Sequence, residues 1–170
     1  MNVNKIEIET LPDGLRASVL ECEVTGRRAV LARAGRPVAV VASWDEYVAL
    51  RETIEIAASG EIVKALAAAD AELARGEVRS LEQLGGPPGD RIVIAASAGR
   101  SWEALDEGQR REAIGRLEHV AAEPIAGAPL LEPLRGLWSL RAGGLRVVYR
   151  VTPEARAIGI VYLGTAEVLD

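Results

Sequence analysis

The run Gly85-Gly86-Pro87-Pro88-Gly89-Asp90 constrains this chain more than any other stretch. Glycine loses the most conformational freedom on ordering, and proline fixes φ and removes a backbone donor, so such a run interrupts both helices and strands. Patterned sequence resumes on each side of it. The chain therefore reads as residues 1–84 and residues 91–170 joined by a connector at residues 85–90. A flexible connector of this length spans roughly 12–15 Å, and such a tether puts each half at about millimolar effective concentration for the other.

Each half must then bury a small core. Apolar residues make up 49% of the 170, but aromatics only 4% and Phe is absent, so packing rests on Val, Leu, Ile and Ala. Trp44, Trp102 and Trp138 read as packing anchors. The single cysteine, Cys22, permits no internal disulfide, and with one histidine, His119, the chain holds no Cys/His set for a structural metal. No phosphate-cradling glycine loop or Ser-His-Asp arrangement is present, so no cofactor is expected. No apolar stretch nears the roughly 18 residues of a spanning helix, and polar residues follow Met1 where a signal peptide would turn apolar. The expectation is a protein of the reducing cytoplasm with no membrane partner.

Net charge is −5, yet apart from Lys5 and Lys64 all 20 basic residues are Arg, and they gather in two acid-free islands. Residues 27–44 hold Arg27, Arg28, Arg33 and Arg36; residues 133–150 hold Arg135, Arg141, Arg146 and Arg150.

The periodicities predict an α+β chain. In the first half they give a strand over Lys5 to Glu9, a helix from Pro12 through Val24, and a hairpin of Arg27 to Arg33 with Pro37 to Ala42 turning at Ala34-Gly35. Ser43 then caps a helix reaching about Ala58, and Ser59 caps another. The order is β-α-β-β-α-α. Ile62, Leu66, Ala69 and Leu73 form a narrow apolar stripe on that last helix, and the stretch from Glu55 to Glu82 holds six acids (Glu55, Glu61, Asp70, Glu72, Glu77 and Glu82) against three bases (Lys64, Arg75 and Arg79). A stripe this narrow needs a partner surface. The second half reads β-α-α-β-β-β with an antiparallel sheet: a strand from Arg91 to Ala96, a short helix with Trp102 and Leu105, and a longer helix from Asp106 to about Ala122. Ile114, Leu117 and Ala121 form its buried stripe, and strands follow near 136–142, 145–152 and 156–164.

A Gly143-Gly144 turn sets Ala142 opposite Leu145, Arg141 opposite Arg146, Leu140 opposite Val147 and Trp138 opposite Tyr149. Trp138, Leu140, Val147 and Tyr149 then share one face; Ser139, Arg141, Arg146, Val148 and Arg150 share the other. Like charges directly opposite cost something like 0.2–1 kcal/mol. Crowded guanidinia call for an anion, and their planar forks suit phosphate or carboxylate. Nucleic acid is one candidate, and the acidic helix of the same chain is another. Arg33 opposite Arg36 repeats the pattern at the tip of the first hairpin.

The run from Gly26 to Val41, followed by Trp44-Asp45-Glu46-Tyr47, resembles the hairpin and next helix of Phd/YefM-type antitoxins, a likeness covering about residues 1–84. Residues 91–164 resemble the RelE/ParE toxin superfamily, most clearly from Leu134 to Tyr149. The resemblance implies an N-terminal half that forms a homodimer and binds its operator DNA, with Arg16, Arg27, Arg28, Arg33 and Arg36 as DNA-contacting candidates. It implies a C-terminal half that cleaves mRNA on the ribosome, as RelE toxins do, or inhibits gyrase, as ParE toxins do. Arg146 matches the family's central catalytic arginine and Arg141 a basic neighbour; with Arg135 and Arg150 they make the RNA-binding set. Thr165 and Ala166 stand where the family carries basic groups, and Ser139 and Leu137 where RelE members often carry Lys.

The leading expectation is a self-neutralised toxin–antitoxin fusion. In it the 59–84 segment covers the arginine sheet through Ile62, Leu66, Ala69 and Leu73, within one chain or by a swapped dimer, and the toxin half is latent or catalytically degenerate. A DNA-binding autoregulator carrying a dead toxin fold and a ParE-like topoisomerase inhibitor are the alternatives. Release would require cleavage in the connector or the first half.

Overall fold

The computed structural model describes residues 4–88, 91–142, 144–152 and 157–166. It divides into two compact units, one ending at Leu50 and the other beginning at Arg51.

In the first unit, Pro12 precedes helix α1 (Asp13–Thr25), which stops at Gly26 with φ +67°. Antiparallel strands β1 (Ala29–Arg33) and β2 (Arg36–Val41) follow, with Arg33 opposite Arg36. Their two-residue turn needs positive φ at both positions, and Ala34 (+50°) and Gly35 (+77°) supply it. Helix α2 (Trp44–Ala58) begins here and crosses the division between the units. The expected strand from Lys5 to Glu9 does not form; a 3-10 turn occupies Ile8–Thr10 instead. Among the described residues β1 and β2 pair only with each other, so this alternating segment has no ladder to join and Thr10 bonds back to Glu7 O. Only Cys22 and Ala49 are buried among the described residues of this unit, and Cys22 Sγ donates to Val41 O at 3.6 Å. Trp44 is 69% exposed and tilts against Tyr47, so it is not the anchor the sequence suggested.

The second unit is built on one six-stranded sheet in the order β3-β4-β8-β7-β6-β5. Its strands are β3 (Val78–Ser80), β4 (Ile92–Ala95), β5 (Ala128–Pro129), β6 (Leu137–Ala142), β7 (Leu145–Thr152) and β8 (Ala157–Thr165). The sheet is mixed, because β4 runs parallel to β8 while the other pairs are antiparallel. A parallel pair requires a long crossover, which the helices between these strands provide. The expected all-antiparallel arrangement is corrected on this point. β3 and β5, at three and two residues, are too short to carry a periodicity and were not anticipated.

Helix α3 (Gly60–Arg75) opens with Ser59 Oγ accepting from Ile62 N at 3.3 Å and closes at Gly76, φ +70°. Its stripe buries Ile62, Leu66 and Ala69, with Leu73 half-buried, and it packs on β4, β8 and helix α4 (Ala96–Glu103). A side chain at Gly159 would meet Leu73 Cδ1 at 3.2 Å, so β8 presents bare backbone where α3 crosses it. Glu72 accepts from Ser97 N and Oγ at 2.8 and 2.7 Å, supplying the N-terminus of α4 with the acceptor its own sequence lacks. Trp102 is buried, and its indole donates to Leu84 O at 3.0 Å. Helix α5 (Glu107–Ala122) has the anticipated Asp106/Gln109 capping box. Its buried residues are Ala113, Leu117 and Val120, with Ile114 and Ala121 at the flank, one step round from the expected stripe; His119 is exposed.

Residues 51–84 thus pack in one unit with the C-terminal sheet, so compactness divides the chain inside α2. Gly89 and Asp90 of the connector lie outside the described residues. Among the described residues, no helix is long and apolar enough to cross a membrane.

Candidate functional site

The β6–β7 hairpin has the register the paired glycines suggest: Ala142 opposite Leu145, Arg141 opposite Arg146, Leu140 opposite Val147 and Trp138 opposite Tyr149. Gly144 takes φ +86°; Gly143 lies outside the described residues. Neither face is open to water. Val147 and Tyr149 are buried on one side, Ser139, Arg146 and Val148 on the other.

What covers the arginine face is α2. Glu52, 4% exposed, accepts from Ser139 Oγ at 2.7 Å and from Arg141 Nε, and Glu55 Oε2 accepts from Nη2 of both Arg141 and Arg146. Two carboxylates thus neutralise two guanidinia in a site where Arg146 is only 5% exposed. An unpaired charge at this depth would cost several kcal/mol, on the order of 3–5 when one partner is removed. Arg146 Nε lies 3.2 Å from Glu52 Oε2 but makes no hydrogen bond, leaving a buried donor without an acceptor. Burial alone would raise the Glu52 carboxyl; the Ser139 hydroxyl and the two guanidinia outweigh it and hold the group below its ordinary value. Thr53 Oγ1 accepts from Leu131 N at 2.8 Å and Ile56 is fully buried, so the carboxylates are placed by a locked helix face.

Tyr162 borders the same site. Val148 pairs with Tyr162 and Arg146 with Gly164, so the phenol stands on the arginine face of β8, and a Cβ at Gly164 would collide with its hydroxyl. Burial, then the Glu61 carboxylate, raise the phenol above its ordinary pKa, against a smaller pull from Arg146.

Of the proposed RNA-binding set, Arg141 and Arg146 come together. Arg150 stands apart, paired with Asp70 of α3 at 3.0 Å, and Arg135 sits exposed in the turn before β6, 3.7 Å from Glu132. The first-unit arginines are dispersed: Arg16 pairs with Asp13, Arg27 lies 3.8 Å from Glu21, and Arg28 donates to Glu46 at 2.6 Å. Arg33 and Arg36 are exposed at the hairpin tip. Sequence reasoning assigned the cover to residues 59–84. That segment contributes Asp70 and the apolar stripe, but the acids on Arg141 and Arg146 come from the preceding helix. Glu52 was missed because Leu50 and Ile54, the apolar residues beside it, are the exposed ones. The available signal was the spacing Ala49, Glu52, Ile56, an acid inside a helical apolar period.

No protein-family model matches the chain, and no curated protein matches it. Among solved structures, it is similar to a RelBE toxin–antitoxin complex from Mycobacterium tuberculosis at 23% identity and TM-score 0.42, covering 44% of this chain and 95% of that one. It is similar to the intact E. coli RelBE complex at 25% identity and TM-score 0.41, covering 46% and 99%. The isolated E. coli RelE toxin gives 21% identity and TM-score 0.42, covering 48% and 89%.

Proposed function

We propose that this chain is a self-neutralised toxin–antitoxin fusion: residues 1–84 are the antitoxin-like half, residues 91–170 the RelE-like half, and α2 with α3 masks an RNA-phosphate site on the second. The observation that carries it is the seating of Glu52 and Glu55 on Arg141 and Arg146, since Arg146 is the residue that the motif around Leu134 to Tyr149 aligns with the family's catalytic arginine. Carboxylates stand there in place of a phosphate: each carries negative charge and presents acceptor oxygens to a guanidinium fork. Thr165 and Ala166 stand at the expected basic positions and His119 is exposed on α5, so Arg141 and Arg146 are the groups left to act on a phosphate, and the carboxylates that cover them make the half latent.

The first unit is read as a homodimerising, operator-binding module. Val24, Val30, Val38 and Val40 are exposed on a unit with two buried residues among those described, a surface that a second copy would cover, and Arg33 and Arg36 lie at its basic tip. Sedimentation of the full chain should give a dimer that Val38→Glu weakens, and operator binding should fall steeply with salt.

The test of masking is growth. Full-length protein carrying Glu52→Gln and Glu55→Gln should arrest a bacterial host, Arg146→Ala in that background should restore growth, and the unmodified chain should be harmless. Arrest by DNA damage would favour the topoisomerase reading. Unimpaired growth from a folded double variant that still binds operator would leave the autoregulator.

A further inference from the structure

The masked site contains more donors than the two arginines, and all of them point to the same kind of ligand. Ser139 is 3% exposed and its hydroxyl is held by Glu52 Oε2. Arg146 Nε is buried with no hydrogen-bond acceptor, although a carboxylate oxygen lies 3.2 Å away. The carboxylates therefore fill the site incompletely: they balance its charge but leave Arg146 Nε without a hydrogen bond. Tyr162 flanks Arg146 across the β7–β8 ladder, and its hydroxyl occupies the space above Gly164 that any side chain at that position would take.

Resting on the masking reading above, we propose that Tyr162 is a binding residue of a phosphodiester subsite: with α2 lifted, its hydroxyl donates to a phosphate oxygen of single-stranded RNA held by Arg141, Arg146 and Ser139. A side chain at Gly164 would displace the phenol from this position. A phosphodiester carries one negative charge on two non-bridging oxygens and adds bridging oxygens a carboxylate lacks, so it can reach donors that Glu52 and Glu55 leave unmet. Beside Arg146 the phenol keeps its proton, since burial and Glu61 both favour the neutral form.

The experiment uses full-length protein with Glu52→Gln and Glu55→Gln, with and without Tyr162→Phe, labelled with 3-fluorotyrosine and titrated with a short single-stranded RNA at fixed salt. The chain has three tyrosines, Tyr47, Tyr149 and Tyr162, so the phenylalanine variant assigns the Tyr162 resonance. The expected results are RNA binding that Arg146→Ala removes, an approximately tenfold weakening by Tyr162→Phe as for a hydrogen bond to a charged acceptor, and a Tyr162 resonance that moves on saturation. Equal affinity in the phenylalanine variant with an unmoved resonance would overturn the role of Tyr162 and leave the site standing. Failure of the unmasked protein to bind RNA through Arg146 would overturn the masking reading, and the Tyr162 assignment with it. Should the double substitution unfold the unit, as judged by far-ultraviolet circular dichroism, Glu52→Gln alone takes its place with the same readings, since Glu52 is the carboxylate that holds Ser139 and Arg141 Nε.

Discussion

Glu52 is the residue on which the sheet's charge balance turns. It has a buried hydroxyl and two guanidinia around it, and removing its carboxylate strands Arg146 in a site with little access to water. Glu52→Ala should therefore destabilise the second unit by about 3–5 kcal/mol in denaturant unfolding, and Glu55→Ala, at a more exposed position, by less. The pH dependence follows from the direction of the shift. A carboxyl whose folded pKa is depressed gives stability that is present above its unfolded value, about 4.3, and is lost as pH falls through the folded one. The stability difference between the unmodified chain and Glu52→Gln should hold steady from neutral pH to near that value and shrink below it; a difference already vanishing at pH 6 would contradict the arrangement. In the first unit, Ala34 holds φ +50°. Left-handed backbone costs a non-glycine residue about 1–2 kcal/mol, so Ala34→Gly should slow amide exchange across β1–β2.

At the scale of elements, α2 and α3 show what periodicity can and cannot tell. The stripe Ile62, Leu66, Ala69, Leu73 reads directly from spacing because its neighbours are polar, and the structure packs that face on β4 and β8. Leu66→Ala should cost about 2–5 kcal/mol through the cavity it leaves. Ala69→Leu should cost about 1–3 kcal/mol by overpacking, since Ala69 is wholly buried. Thermal melts of the two variants check both. α2 defeats the same rule: Leu50 and Ile54 face solvent while Glu52 and Thr53 are buried, because the surface it meets offers guanidinia and a backbone N–H. An amphipathic helix complements its partner, and the partner here is charged.

For the whole molecule, the connector matters less than its composition suggests. Residues 51–84 pack with the C-terminal sheet through α3, β3 and the buried charge cluster, so the tether joins two parts of one compact unit. A protease site placed at Gly86-Pro87 should give two fragments that co-elute on native gel filtration, separating only when Glu52 and Glu55 are also replaced. Separation of the nicked, otherwise unmodified protein would mean that the tether alone maintains the cover.

The sequence by itself determined the elements whose signals are local: the helices from their caps and stripes, the two hairpins from Ala34-Gly35 and Gly143-Gly144, and with the second hairpin the confrontation of Arg141 with Arg146. Backbone turns and side-chain alternation act over a few residues, so a few residues encode them. Tertiary structure decided which acid answers those arginines, that β4 lies parallel beside β8, that β3 extends the sheet, and that the phenol of Tyr162 lies over Gly164, the residue opposite Arg146. These depend on contacts between segments far apart in the chain, and there the burial of each group is set by what it meets.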